Sequence, residues 1–403
     1  MITNKYLTLS ILSALLAVAS WGCSSDEVVP DPSQGVVEEV SLPVSRSFTP
    51  DADELAALDI SNNSAYAFNS VLSNSTTENY CISPLSLSMA LAMTVNTSDE
   101  AQQQLMLKTF GYVDLATLNS LSTKLISYIN RPREKSAVYC VNSIWLDSDV
   151  VVTDSFRKKM AEVFGAPVTS LDFNKVDAAA IINAWISRNT HGKITEMLDD
   201  CTASFYLINT LYFKSSWEGL FDEDDTDRQD FHGRTKTSQV DMMHGNAMGY
   251  VSVTDDYSYA CISFDDPEYV FELIMGDAEV TPGLMERISD DKESSKRIIL
   301  SLPRFSVRTK CGLRPVFEAI GFPTETGVSQ TLGGRSLELD GQQEALIEVN
   351  EKGVEAAAAT IVEGLGAPSV PETVEFTVDR PFTYIVRDRA TGAILVMGAV
   401  RDL

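Results

Sequence analysis

The sequence predicts an α+β chain with one folded domain from about residue 55 to residue 403. Three observations carry this. Hydrophobic residues make up 44% of the 403 positions, enough to bury a large interior. Capped helical segments cluster early, and long apolar strands dominate the second half. One late segment, EKGVEAAAATIVEG (351–364), fits both states: its four alanines favour helix, whereas Thr360, Ile361 and Val362 favour strand.

The first 22 residues read as a targeting segment. Lys5 supplies a positive end and Leu7 to Ala19 a short apolar stretch. Gly22 before Cys23 is similar to a bacterial lipoprotein processing site, in which Cys23 is lipidated and starts the mature chain. Cleavage after the small-x-small Ala17–Ala19 is the other reading and gives a secreted, extracellular product. Residues 23–54 are acidic and poor in aromatics, and are expected to form a disordered tether. Lipidation would place the protein at the bacterial outer membrane or cell surface.

The folded elements follow in order. Ser83 caps a helix that carries Pro84 at its first position, where the missing N–H costs nothing. VTDSFRKKMAEVFG is a helix closed by Gly165. A third helix runs from near Asp177 to a stop at Gly192. SAVYCVNSIWL and FYLINTLYF are apolar runs expected of strands covered on both faces. YACISFD and VFELIMG are neighbouring strands. KRIILSLPRFSVRT is a long strand interrupted at Pro303, and PFTYIVRD with AILVMGAV makes a closing hairpin around RATG.

Charge and motifs narrow the function. The formal net charge of −26 disfavours nucleic acid and anionic membrane surfaces as partners. It serves solubility, or steers basic proteins toward the surface. Cys81, Cys140, Cys201, Cys261 and Cys311 are irregularly spaced and show neither a disulfide framework nor a zinc pattern. His191, His232 and His244 lack metal-ligand spacing and read as surface or hydrogen-bonded residues. Asp222–Asp225 reads as a solvated acidic turn. No nucleophile elbow, phosphate loop or dinucleotide fingerprint occurs, so no metal, cofactor or enzymatic activity is expected.

Read with period two, the ambiguous segment becomes orderly. Val354, Ala356, Ala358, Thr360, Val362 and Gly364 share one small or apolar face, while Glu355 and Glu363 lie on the other. The Pro- and Gly-containing LGAPSVPET that follows reads as an exposed, cleavable loop.

At this point the chain resembles the serpins, a family of suicide inhibitors of proteases. IEVNEKGVEAAAAT (347–360) resembles their hinge motif. NYCISPLSLSMALAM (79–93), NSIWL (142–146), INAWISRNTHGKI (182–194), LINTLYFKSSWEGLF (207–221), SLPRFSV (301–307) and DRPFTYIVRDRATGAILVMGAV (379–400) match further signatures in the family's order. The resemblance implies a monomer with three β-sheets, about nine helices and an exposed reactive-centre loop. It implies that a protease cleaves the loop and is trapped as the hinge enters the largest sheet. The implied hinge residues are Glu351, Gly353, Val354, Glu355, Ala356, Ala357, Ala358, Ala359 and Thr360. About fourteen inserted residues would advance the chain on the order of 45 Å.

The resemblance also places a sheet-opening cluster at Ser83, Ser86, Asn209 and Gln343. The family usually has histidine where Gln343 stands, and glutamine also donates and accepts, so an altered but satisfied cluster is expected. The nominal scissile bond is Ala367–Pro368. Proline there hinders most proteases, so Leu365–Gly366, Gly366–Ala367 and Ser369–Val370 are alternatives. No Lys or Arg lies between Lys352 and Arg380. Elastase-like or subtilisin-like serine proteases are therefore the expected partners, with papain-like cysteine proteases a further class. A non-inhibitory serpin acting as a binding module is the alternative function.

Overall fold

The computed structural model describes residues 40–174, 177–217, 219–291, 294–322, 340–353 and 372–403. Eight α-helices occur among them: α1 (Ala52–Ser75), α2 (Pro84–Thr97), α3 (Glu100–Phe110), α4 (Leu115–Ile129), α5 (Asp154–Phe164), α6 (Ala178–Asn189), α7 (Pro282–Asp290) and α8 (Leu313–Ala319). Most starts are capped by side chains that satisfy an orphan backbone N–H. Ser83 accepts from Ser86 N at α2, Thr153 from Phe156 N at α5 and Asp177 from Ala180 N at α6. Gly165 closes α5 in the left-handed region, at φ 58°, as its sequence predicts.

The strands form two hydrogen-bonded sheets. The first elements are β1 (Tyr80–Ile82), β2 (Ser136–Asp147), β3 (Val168–Leu171), β4 (Phe205–Ser215), β5 (Asp227–His232), β6 (Thr237–Val253) and β7 (Tyr257–Ser263). They are followed by β8 (Tyr269–Gly276), β9 (Lys296–Pro303), β10 (Phe305–Gly312), β11 (Asp340–Val349), β12 (Thr373–Thr377), β13 (Phe382–Asp388) and β14 (Ile394–Val400). One sheet has the order β10-β11-β4-β2-β3; the other runs β1-β14-β13-β8-β7-β6-β9-β12, with β5 beside β6. The second and third sheets implied by the resemblance are thus continuous here. The 17-residue β6 pairs with β9 and β5 along one part and with β7 along another, which links them.

Both faces of the five-stranded sheet are covered. Its inner face, with Leu207, Leu211, Phe213, Ala345 and Ile347, joins the main core under α1, α2 and the larger sheet. On its outer face Trp145, Tyr206 and Ile208 meet Ile182, Trp185 and Ile186 of α6. This double cover explains why β2 and β4 read as apolar runs rather than alternating ones.

Two expectations change. KRIILSLPRFSVRT is not one interrupted strand: β9 belongs to the larger sheet and β10 to the smaller, with the crossover at Arg304. Residues 40–54 of the expected tether are docked and partly helical. Leu42 lies against Gly165, Ser45 N donates to Ser127 O at 2.9 Å, and the Phe48 ring is 5.9 Å from that of Tyr128. Asp51 then starts α1 with a capping box to Glu54. Apolar Leu42 and Phe48, spaced among polar neighbours, find cover that their local composition does not advertise.

Candidate functional site

The smaller sheet is incompletely zipped. β2 and β4 pair antiparallel over eleven residues, Ser136–Leu146 against Phe205–Ser215. β11 runs parallel to β4 but pairs with it only over Asp340–Glu344 against Tyr206–Thr210. Beyond Glu344 the ladder stops, although β11 continues to Val349 on β10 and β4 continues to Ser215 on β2. A parallel pair with in-register neighbours would normally continue, because each open rung leaves backbone groups to be satisfied elsewhere. The result is a fork with its closed end at Thr210 and Glu344.

Past the fork the strands are pinned together again. Trp217 Nε1 donates to Asn350 O at 2.9 Å, and the indole stacks on Phe264 at 4.5 Å between centroids. Gly353 takes φ +106°, and a Cβ there would lie 2.4 Å from both Ser215 O and Ser216 Cα. Only glycine allows this approach. Glu351 accepts from Arg304 Nε at 2.7 Å on both oxygens and from Thr226 Oγ1. Burial would raise the Glu351 carboxyl, but the Arg304 and Thr226 hydrogen bonds outweigh it and hold the group below the usual carboxylate range. Lys352 reaches Glu223 at 3.1 Å.

Between these closed ends lies a slot. A small cavity there is lined by Leu211, Tyr212 and Phe213 of β4 and by Leu346 and Glu348 of β11. Its roof is the α6–β4 connection, through Thr190, Lys193 and Ile194. That connection is tied across the sheet: Lys193 Nζ lies 3.4 Å from Glu348, Arg308 donates to Lys193 O at 2.8 Å, and Lys310 pairs with Asp199 at 3.4 Å. His191, at φ 52°, sets its ring 4.8 Å from Tyr139 and 5.9 Å from Tyr212.

Below the fork, on the inner face, Gln343 sits beside Asn209 in register. Its Oε1 accepts from Ser83 N at 3.2 Å and its Nε2 donates to Ser83 O at 3.0 Å. Asn209 Nδ2 donates to Asn142 Oδ1, and Asn142 donates to Phe164 O at 3.0 Å. Ser83, Ser86, Asn209 and Gln343 are therefore brought together, but the cluster is not fully satisfied as expected. Gln343 bonds the Ser83 peptide and reaches no side chain of the other three. Ser86 Oγ and Asn209 Oδ1 have no oxygen or nitrogen hydrogen-bond partner among the described residues. The Cys140 thiol lies against both, and a thiol is only a weak donor. Burial drives that thiol up to about 12.

Nine buried side-chain atoms lack partners among the described residues, and five of them belong to this region: Ser86 Oγ, Asn209 Oδ1, Thr210 Oγ1, Ser215 Oγ and Glu344 Oε2. Each unsatisfied buried group costs about 1–3 kcal/mol. Three of these five atoms lie on β4 and one on β11, the two strands that border the slot.

Several expected site residues lie outside the described residues: Cys23, the hinge positions Val354, Glu355, Ala356, Ala357, Ala358, Ala359 and Thr360, and the loop positions Leu365, Gly366, Ala367, Pro368, Ser369 and Val370. Their anchors are described. Glu351 and Gly353 close the far end of the slot, and β12 resumes beside β9 in parallel register from Thr373. Trp217, Arg304, Thr226, Thr210 and Glu344 escaped the sequence reading. Trp217 and Arg304 stand inside motifs already singled out, but nothing local shows that they meet residues 350 and 351. Among the described residues no group of His, Cys, Asp or Glu could hold a metal ion, and no helix is long and apolar enough to cross a membrane.

Comparison with known proteins agrees with this geometry. The family model for serpins (serine protease inhibitors) matches residues 60–403. Iripin-3 of Ixodes ricinus is 29% identical over 83% of this chain and 91% of its own. Human neuroserpin is 26% identical, over 86% of this chain and 91% of its own. An uncharacterised serpin-like protein of Methanosarcina acetivorans is 27% identical across 98% of both chains. The native-state structure of tengpin, a thermophilic serpin, superposes with a TM-score of 0.77 at 22% identity, over 92% of this chain and all of that one. The chain belongs to the serpin family.

Proposed function

We propose that this serpin is an inhibitor that traps serine proteases covalently by inserting its own cleaved loop. The observation that carries this reading is the slot between β4 and β11, open over Leu211–Ser215 and Ala345–Val349 and closed at both ends. The segment that would fill it starts at Gly353, at the slot's own mouth, and its even-numbered face is small or apolar from Val354 to Gly364. Small side chains let β4 and β11 part least, and an inserted strand would carry the ladder past Thr210 and Glu344.

In this reading the protease's serine attacks a carbonyl between Leu365 and Val370. The new amine end departs with the downstream chain, and the upstream segment is left esterified to the enzyme. Insertion then carries the acyl-enzyme away before water completes hydrolysis. The absence of basic residues between Lys352 and Arg380 favours elastase-like and subtilisin-like targets over trypsin-like ones. The chain acts as a monomer, exported and held by a lipid at Cys23.

The test is incubation with subtilisin and with pancreatic elastase. An SDS-resistant adduct, cut within Leu365–Val370 by mass spectrometry, is expected. Cleavage without any adduct would favour a non-inhibitory binding module. Mass spectrometry of the N-terminal peptide from membranes should show acylated Cys23, and an unmodified peptide starting at Ser20 would replace the anchor with simple secretion.

A further inference from the structure

Glu344 occupies the last closed rung of the fork, paired in register with Thr210. Its side chain lies on the outer face, opposite to that of Gln343, and is almost wholly buried, with 2% exposure. Oε1 meets Arg308 Nε at 3.2 Å, but Oε2 has no partner among the described residues. Thr210 Oγ1, on the neighbouring strand of the same rung, has none either. The charged groups around the carboxyl are few. On β10, Lys310 stands directly opposite Glu344, yet its ammonium is drawn to Asp199. Arg308 is shared with Lys193 O, and Lys193 with Glu348. On β4 the Thr210 hydroxyl shares the rung.

A rung built from a half-partnered carboxylate and an unpartnered hydroxyl is a weak one. It is also the first that must break when a strand advances from the slot toward Asp340. We propose that Glu344 is a positioning residue that keeps the fork poorly closed and so sets how fast the sheet opens to accept the cleaved loop. This rests on the inhibitor reading. The ionised carboxylate raises the free energy of the closed sheet, and opening relieves it. Burial pushes the Glu344 carboxyl above its ordinary range, against the pull of Arg308 and Lys310. The sign follows from the raised value. The folded state holds the proton more tightly than the unfolded chain, so the intact protein loses stability as pH rises from the ordinary glutamate range through the folded value.

Glu344→Gln keeps the shape, removes the charge and supplies two donors for the rung. In the intact full-length protein it should raise the Tm at pH 7.5, with the gain shrinking toward pH 4. The number of inhibitor molecules consumed per subtilisin molecule trapped at pH 7.5 should rise by about two- to fivefold, because slower opening lets more acyl-enzyme hydrolyse. Thr210→Val removes the other orphan. It should raise Tm by the same amount at pH 7.5 and pH 4, since it does not titrate, and raise the consumption ratio at pH 7.5. An unchanged or lowered Tm for Glu344→Gln, or an equal gain at both pH values, overturns the proposal. So does an unchanged consumption ratio in a wild-type background that forms adducts. A wild type that forms no adduct refutes the inhibitor reading instead, and the pH-dependent Tm difference then decides the fork alone.

Discussion

Single residues hold the ends of the slot, and each makes a measurable claim. Gly353 fits against Ser215 and Ser216 only because it has no Cβ. Gly353→Ala should destabilise the intact protein by about 1–3 kcal/mol in urea unfolding, from positive φ and backbone contact together. Gln343→Ala removes the acceptor of the buried Ser83 N–H, while Ser83 O keeps Leu87 N at 3.0 Å. One orphaned donor should cost about 1–3 kcal/mol by the same measurement. Glu351 titrates in the opposite sense to Glu344. Its carboxyl is held low, so the stability it adds through Arg304 is present above the ordinary glutamate range and is lost as pH falls through the folded value. Glu351→Gln should therefore lower the Tm at pH 7 and lose that effect in acid.

Elements show how far local chemistry reaches. The caps of α2, α5 and α6 and the strands β2, β4, β7, β8, β13 and β14 were legible in the sequence, because caps and apolar runs act within a few residues. The fork was not. Residues 345–349 read like any strand, and nothing in them says that β4 will stop pairing at Thr210. That depends on long-range register, as does the union of Trp217 with Asn350. The Arg304 crossover was hidden for a similar reason: Pro303 marks a break but not a change of sheet. The docked segment before α1 was misread because its composition is that of a tether, and only Leu42 and Phe48 tie it down. Removal of residues up to 50 should lower the Tm by several degrees in calorimetry, whereas removal up to 39 should leave the packing of Leu42 and Phe48 intact.

At the scale of the whole molecule, the inhibitor reading requires that the native sheet be less stable than the one completed by the cleaved loop. Its slot is open, four partnerless buried polar atoms lie on the two strands that border it, and the segment that would complete it begins at the slot's mouth. The family supplies the inhibitory role in general, and the open slot is the physical basis for assigning it to this chain. The most direct test is the thermal unfolding of the protein before and after a single cut within residues 365–370. Insertion would add on the order of ten ladder hydrogen bonds at about 1 kcal/mol net each, so the cleaved form should melt on the order of 10 °C or more above the intact one. A cleaved form that melts at or below the intact temperature would contradict the account.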